Sequence, residues 1–479
     1  MMKKIPYICL LLPAAAWADG NPYPLNPPSE PEPRFDVAPE PRRDSEPIPP
    51  ATPAPTEPKK LKVSPEELLQ QPELLHRALT SAVLLKNIEG IKVLLPLYQQ
   101  LPEAQRRDTI LIELAQAALA EAEQRPDRAV RHYREALKHE ADMPSVRLNL
   151  AGALVRDQQN REAQALLDDI AQDPQLPEPA AAAVNAYRRV LKQRSRWQLS
   201  AGAHYIRDPN INNTPKQRII KRGRGTFELP PPETAHGLSY RASAEKDWML
   251  PQYYRIRTGI DLNGKDYWDH SKYDDLSVRA QAGVARQSAR SESALLPYYE
   301  RRWYSGSRYS AEKGIRAEHS RPVSHSLRVS LAGEAARVRH DRRRFLDGAS
   351  FNASATVLWT PNARSYFTLG TDFSRKRALD PSDAYHRRGM RGSWGQAWGK
   401  GFQTVLHAGI GRRSYDAADF FRITRRDTEY NLSLSVWNNK LKLWGVTPRL
   451  VGVYQKTRSN HFVYNYRKAY AFIQLSKSI

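Results

Sequence analysis

Long alternating segments in the second part of the sequence most constrain what this chain can fold into. After residue 196, apolar residues repeatedly occupy every second position, as in 254–262 (YRIRTGIDL), 276–284 (LSVRAQAGV) and 430–436 (YNLSLSV). A period of two is typical of β-strands with one apolar and one polar face. Many segments reach the roughly 9 to 11 residues of a tilted bilayer-crossing strand, whereas sandwich strands average about 5 or 6. The pattern predicts membrane-spanning strands, with a soluble β-sandwich as the alternative.

The aromatic residues favour a barrel in an outer membrane. Trp and Tyr stand at segment ends beside charged turns, as interfacial girdles do, at Trp197, Tyr205, Trp248, Tyr253, Tyr267, Trp268, Trp303, Tyr304, Trp394 and Trp398. Fourteen strands can be counted, an even number, near residues 197, 238, 254, 276, 296, 309, 327, 351, 366, 391, 402, 430, 446 and 466. We therefore predict an antiparallel outer-membrane β-barrel of about 14 strands over residues 195–479.

The start of the sequence predicts export from the cytoplasm. Lys3 and Lys4 precede an apolar segment, and Ala16-Trp-Ala18 matches the small-residue pattern of a cleavage site, so residues 1–18 are predicted to be a signal peptide. Cys9, the one cysteine of the sequence, lies within it, which excludes a disulfide framework and a Cys-based metal cluster in the mature chain. A mean hydropathy of -0.67 also excludes a bundle of membrane-spanning helices.

Two further zones separate the signal peptide from the alternating segments. Residues 19–60 contain 14 prolines and almost no large apolar side chains, which predicts a disordered linker. Residues 61–194 have apolar residues at helical spacing, and within them one internal period relates Ala117, Ala129, Tyr133 and Ala136 to Ala151, Ala163, Leu167 and Ile170. This period resembles the tetratricopeptide repeat, which is about 34 residues long, and predicts a periplasmic helical solenoid with a concave binding face. A generic helical bundle is the alternative.

The order of these zones and several short stretches resemble the surface lipoprotein assembly modulator (Slam) family. The stretches are QPELLHRA from Gln71, NIEGIKVLLPLY from Asn87, PNINNTPK from Pro209, WGQAWG from Trp394, GVTPRL from Gly445 and TRSN from Thr457. Two features depart from the resemblance: the long proline-rich linker, and Ile479 at a position where many barrels carry a terminal aromatic residue.

The resemblance implies a protein that moves particular lipoproteins from the periplasm to the cell surface, with a role in virulence. Family clients are surface lipoproteins that bind transferrin, lactoferrin, haemoglobin or complement factor H. The other expected partners are a periplasmic lipoprotein carrier or chaperone, outer-membrane lipid and lipopolysaccharide, and the barrel assembly machinery. An exporter of an anionic polysaccharide and a porin with a scaffold domain remain the alternatives.

The sequence contains no recognisable catalytic constellation. It has no G-x-x-x-x-G-K-[ST] phosphate-binding loop and no HExxH motif, and its histidines are scattered. We therefore predict no enzymatic activity, no cofactor and no metal site.

The chain is strongly basic, with 74 Lys and Arg against 51 Asp and Glu and a formal net charge of +23. Nucleic acid is not an expected partner, because a secreted chain rarely meets it. Two interpretations remain. Basic loops could bind lipopolysaccharide phosphates, at 216–224, 337–344, 375–377 and 422–426. Alternatively, arginines on the strands could make the lumen positive and favour an acidic passenger, and Arg255, Arg257 and Arg279 are the candidates.

Closure of a barrel would bring the first and last strands together. The barrel would provide either a hydrated route through its lumen or a laterally opening seam between these two strands, near Trp197 and Tyr470, along which the lipid of a client passes. Because the sequence shows neither nucleotide nor proton chemistry, folding of the client outside would supply the direction of transport.

Overall fold

The computed structural model describes residues 68–102, 108–222, 225–443 and 445–478. The predicted signal peptide (1–18) and linker (19–60), and Ile479, lie outside these residues. A helical region comes first along the described chain, and a β-barrel follows it.

Seven helices make up the helical region in the described part of the chain. They are α1 (Pro72–Leu84), α2 (Ile88–Gln100), α3 (Thr109–Ala122), α4 (Pro126–His139), α5 (Pro144–Arg156), α6 (Asn160–Ile170) and α7 (Glu178–Arg194). Side-chain caps fix where two of these helices begin. The side chains of Asn87 and Asp108 cap α2 and α3 by accepting from the backbone N–H groups of Gly90 (3.0 Å) and Leu111 (3.1 Å).

The period seen in the sequence is a structural repeat. Gln124 and Gln158 stand one period apart in the α3–α4 and α5–α6 turns, and both have positive φ, 57° and 69°. All eight residues that define the period in the sequence belong to one apolar core and are at most 5% exposed. The small alanines let paired helices approach, and the bulkier Tyr133 and Leu167 fill the space between them.

The barrel closes with fourteen antiparallel strands, which confirms the predicted fold and strand number. They are β1 (Gln198–Asp208), β4 (Ala235–Met249), β5 (Tyr254–Tyr267), β6 (Asp275–Gln287), β7 (Glu292–Tyr304), β8 (Ser307–Pro322), β9 (Leu327–His340), β10 (Gly348–Asn362), β11 (Ser365–Lys376), β12 (Tyr385–Ala397), β13 (Phe402–Ala418), β14 (Thr424–Asn438), β15 (Arg449–Ser459) and β16 (Tyr466–Ser478). Each strand pairs with its neighbour in sequence, and β16 pairs with β1.

Two short strands were not predicted. β2 (Ile219–Arg222) and β3 (Gly225–Glu228) form a separate hairpin within the connection between β1 and β4. Outside this hairpin, side chains brace the connection: the amide of Asn212 donates to Pro231 O (2.8 Å) and accepts from Glu233 N (3.1 Å). The amide of Asn210 likewise donates to Thr214 O (2.9 Å) and accepts from Thr214 N (2.9 Å).

Alternation along each strand sorts side chains between two surroundings. On β5, Ile256 and Ile260 point outward and are 40% and 53% exposed, whereas Arg255 and Arg257 point into the lumen. The register carries this division from strand to strand, because directly opposed residues lie on the same face. The outer face is therefore apolar over its middle, as a lipid-facing surface is.

The two ends of the barrel differ. The helical region joins β1 at what we call the terminal end, where the connections are 250–253, 288–291, 323–326, 363–364, 398–401 and 439–448. The connections at the opposite end, the loop end, are 209–234, 268–274, 305–306, 341–347, 377–384, 419–423 and 460–465. Periplasmic turns of such barrels are short and extracellular loops longer, so we assign the terminal end to the periplasm.

Candidate functional site

The seam between β1 and β16 is the shortest strand pairing of the barrel among the described residues. Its register runs from Ser200↔Ser478 to His204↔Gln474. The other edge of β1 pairs with β4 along the full strand, from Gln198↔Glu245 to Asp208↔Ala235. Residues 205–208 therefore have backbone partners on β4 but no register partner on β16.

Side chains close the part of the seam where backbone pairing stops. Lys468 Nζ lies 2.8 Å from Asp208 Oδ2, and Asp208 is 8% exposed. Nearer the paired stretch, the rings of His204 and Phe472 stack with centroids 3.9 Å apart. Both contacts lie on the inward face, so the lumen side of the seam is closed by one ion pair and one ring stack.

The structure does not bring the two seam candidates, Trp197 and Tyr470, together. Trp197 precedes β1 at the terminal end and is 48% exposed. Tyr470 faces the lumen opposite Val453, nearer the loop end than Gln474, and its ring stacks on Phe472 at 6.2 Å. The two residues therefore mark opposite ends of the seam rather than one contact.

Arg255 and Arg257 face the lumen within an ion-paired cluster near the terminal end. Arg255 Nη1 lies 2.6 Å from Asp247 Oδ2, and Arg257 Nε lies 2.9 Å from Asp247 Oδ1. Arg257 also reaches Glu292 on β7, with Nη2 2.7 Å from Oε1. Asp247 is 6% exposed, so its charge is compensated by two guanidinium groups within the wall.

Arg279 forms a second cluster, deeper in the lumen. Its guanidinium lies 2.7 Å from Glu300 Oε2 and 3.1 Å from Glu334 Oε1, and it stacks over the Tyr298 ring at 3.9 Å. Glu334 also pairs with Arg316, at 3.1 Å, and accepts from the Tyr298 hydroxyl at 2.6 Å. Arg279 thereby links β6 to β9 across the two strands between them.

A third cluster of ion-paired arginines lies on the opposite wall of the lumen. Arg387 pairs with Asp372 and with Glu429, the latter at 2.9 Å, and Arg413 lies 3.0 Å from Glu429. Sequence reasoning found three of the arginines in these clusters but missed their carboxylate partners. Alternation contained a signal for them, because the carboxylates occupy inward positions on neighbouring strands.

The lumen wall is not positive in the way the arginine pattern suggested. Basic and acidic side chains occupy the inward positions of the strands in nearly equal number. The arginines that we selected are members of ion pairs, not isolated positive charges. The excess of positive charge must therefore lie elsewhere on the barrel.

A hydrogen-bonded contact fixes the helical region against the terminal end of the barrel. The Tyr253 hydroxyl, in the turn between β4 and β5, donates to Asp157 Oδ2 (2.7 Å) and accepts from Gln159 Nε2 (3.1 Å). Burial raises the pKa of Asp157, and burial beside Asp157 raises the pKa of Tyr253 to about 12. Asp157 and Gln159 lie in the turn of the second repeat, so a repeat turn rests on a periplasmic turn.

Arg194, at the end of α7, binds the same turn of the second repeat. Its Nη1 donates to Val155 O (2.8 Å) and to Asn160 Oδ1 (2.6 Å). Burial lowers its pKa to about 10. The last helix before the barrel is thus tied to the repeat turn that touches the barrel.

Of the helices in the described ranges, none is long and apolar enough to cross a membrane. Among the same residues, no group of three or more His, Cys, Asp or Glu side chains is placed to hold a metal ion.

Family models match both parts of the chain. A model described as surface lipoprotein assembly modifier covers residues 197–479, and one described as its N-terminal TPR repeats covers 61–167. The chain belongs to the surface lipoprotein assembly modifier family. This confirms both the resemblance seen in the sequence and the repeat type of the helical region. With its closed barrel and apolar outer face, this family member is an outer-membrane protein.

Relatives match over nearly the whole chain. Surface lipoprotein assembly modifier 1 of Haemophilus influenzae is 33% identical over 88% of this chain and 88% of its own length. The protein of the same name from Neisseria meningitidis is 35% identical over 88% of this chain and 86% of its own. The hemophilin secretion modulator of Acinetobacter baumannii is 26% identical over 85% of this chain and 87% of its own.

Solved outer-membrane proteins match part of the chain. The outer membrane channel DcaP of Acinetobacter baumannii covers 59% of this chain and 96% of its own length, with 6% identity and a TM-score of 0.37. That likeness is too remote to bear on function. The family and the barrel point to an assembly protein of transport type rather than to an enzyme.

Proposed function

We propose that this protein carries lipoproteins across the outer membrane to the cell surface, through a seam that opens between β1 and β16. The observation that carries the proposal is the short register of that seam beside the full-length pairing of β1 with β4. Fewer backbone hydrogen bonds make this the pairing that parts at the lowest cost. A lipoprotein needs such an opening, because its polypeptide is polar and its lipid must stay in an apolar phase.

The helical region receives the client in the periplasm. Support comes from its repeats, which form extended concave surfaces in such folds, and from the contact of Asp157 with Tyr253 at the terminal end. A client held there, after transfer from a periplasmic lipoprotein carrier, lies at the mouth of the barrel. Folding of the client outside supplies direction.

The proposed clients are surface lipoproteins of the iron- and haem-acquisition or complement-factor-binding type. One relative is named for the secretion of hemophilin, which supports a haem-binding client in particular. Deletion of this gene followed by antibody labelling of candidate lipoproteins on intact cells tests the client class. Membership of the family favours lipoproteins over the anionic polysaccharide and porin alternatives.

A disulfide across the seam tests the route. Ala203 and Leu475 are directly opposed on β1 and β16, so A203C/L475C would lock the strands when oxidised. The matched control, A201C/A242C, locks β1 to β4, which are paired along their full length. We expect oxidation of the first variant to abolish client display on intact cells, and a reductant to restore it.

The control variant should display its client in both redox states. Continued display with a fully oxidised A203C/L475C pair would contradict the seam route and leave passage through the lumen. Loss of display in both variants would show that β1 must move as a whole, which also contradicts the proposed opening.

A further inference from the structure

The positive charge that the lumen lacks lies on the outer face of the barrel, close to the loop end. Outward positions near that end are basic on most strands from β7 round to β1. We call these residues the outer basic belt. It is formed by alternate residues of the strands themselves, and it includes Arg337 and Arg375, the strand residues at the start of two of the basic runs.

Six members of the belt stand in three directly opposed pairs of like charge. The register places Lys313 opposite Arg337, Arg388 opposite Arg412, and Lys456 opposite Arg467. The Cβ atoms of such pairs are about 4.5–5.5 Å apart, and like charges in this position destabilise a sheet. Three different strand pairings each contain one such pair, and anions between the side chains would relieve the repulsion.

In the described part of the chain, carboxylates balance other members of the belt but not these six. Elsewhere on the belt, Arg301 pairs with Asp341 at 2.8 Å and Arg375 with Asp416 at 2.6 Å. Among the described residues, none of the six cations in the like-charge pairs has a carboxylate partner. Five of the six are exposed, and Lys456 is half-buried.

The belt borders the lipid-facing surface. Three belt residues have an exposed apolar residue two positions nearer the middle of the strand, on the same outward face. These are Ile315 beside Lys313, Met390 beside Arg388 and Ile410 beside Arg412, and they are 50%, 57% and 47% exposed. The cations therefore lie where the hydrocarbon layer ends on the extracellular side. The anions found at this depth are the phosphates of the outer-leaflet glycolipid, and Arg pairs with phosphate in a bidentate manner.

We propose that the outer basic belt is a binding site for the phosphate groups of lipid A, the phosphorylated glycolipid of the outer leaflet. Phosphates bridge the three like-charge pairs and turn a repulsive sheet contact into a cohesive one. The bound glycolipid would then clamp β8 to β9, β12 to β13 and β15 to β16. The last of these clamps includes β16, one of the two seam strands, so the bound glycolipid would hold β16 to β15 when the seam opens.

Thermal unfolding of the full-length protein in a neutral detergent tests this site. The probes are diphosphoryl lipid A, lipid A with both phosphates removed, and inorganic phosphate. The variant is K313S/R337S/R388S/R412S, and the matched control is R321S, an exposed outward Arg at the terminal end of β8. We expect diphosphoryl lipid A to raise the midpoint of the wild type and of R321S, and to lose most of its effect on the variant.

Two results would overturn the proposal. One is an equal midpoint shift with dephosphorylated lipid A or inorganic phosphate, which would leave a generic lipid or salt effect. The other is an unreduced shift in the variant. The variant is also measured without lipid. Because it lacks two of the like-charge pairs, its unfolding midpoint should then be at or above that of the wild type and should depend less on salt. A lower midpoint there also counts against the belt.

Discussion

Lys468 on the last strand and Asp208 at the end of the first form an ion pair, with Nζ and Oδ2 2.8 Å apart, beyond the last backbone pair of the seam. Both side chains are largely buried, at 9% and 12% exposed. The other strand pairings of the barrel have longer backbone registers. Beyond His204 the seam depends on side chains, namely this ion pair and the stack of His204 on Phe472, so it can be altered by mutation without removing a backbone pair.

Replacement of Lys468 by Met should loosen the seam. It leaves Asp208 buried without its cation, a change that costs about 3–5 kcal/mol for a fully buried pair and less beside a hydrated lumen. We expect a lower urea midpoint for barrel unfolding and more frequent channel openings in planar bilayers. The double variant D208N/K468M removes both charges and should recover much of the loss. Equal midpoints for wild type and K468M would show that the pair does not hold the seam.

Charge reversal at Arg279 should act through its partners. R279E places a third carboxylate beside Glu300 and Glu334, both at most 9% exposed, and we expect loss of the heat-modifiable folded barrel and of client display. The swap R279E/E334R restores one pair and should restore both readouts. Normal folding without display in the swap would indicate instead that the positive charge at 279 itself serves the client. The variants R257D and R257D/D247R should show the same loss and the same recovery.

Two glycines on β12 should respond differently to alanine. A Cβ on Gly395 would lie 1.9 Å from the Tyr366 ring, whereas one on Gly392 would meet nothing nearer than 3.5 Å. Because Tyr366 is buried, we expect G395A to destabilise the barrel by about 1–3 kcal/mol in urea unfolding and G392A to change it little. Similar midpoints for the two variants would mean that Tyr366 can leave the space above Gly395.

The contact between the helical region and the barrel should weaken as the pH rises. Burial raises the pKa of Asp157, so its contribution is fully present below the ordinary Asp pKa of about 3.9 and is lost as the pH rises through the raised value. Hydrogen exchange at residues 157–159, corrected for the intrinsic rate, should therefore increase over that interval. In D157N the corrected rates should not depend on pH. A pH dependence unchanged in D157N would assign it to another group.

The strands could be predicted because each one faces lipid on one side and water on the other. Lipid outside and water inside impose a period of two on the sequence, and fourteen strands could be counted from it, as the structure confirms. The repeat could be predicted as well, because Ala117 and Ala151 are one period apart and are both buried in the same apolar core.

Register and ion pairing could not be predicted in this way. Arg279 and Glu334 are 55 residues apart and meet across two intervening strands, so their contact depends on the register of three pairings at once. The same holds for the short seam, which follows from how the ring closes and not from any local pattern. The hairpin of β2 and β3 was missed because its strands are four residues each, too short to show a period.

The hydrogen bonds within the connection between β1 and β4 bear on which residues would move if the seam opens as proposed. The Asn212 amide bonds to Pro231 O and to Glu233 N, and the Asn210 amide bonds to the backbone O and N of Thr214. These bonds stay within the segment, so parting of β1 from β16 leaves them whole. The braced parts of the segment would therefore stay folded and keep their place beside the paired strands β1 and β4, so a passenger emerging through the seam would meet a structured surface at the loop end.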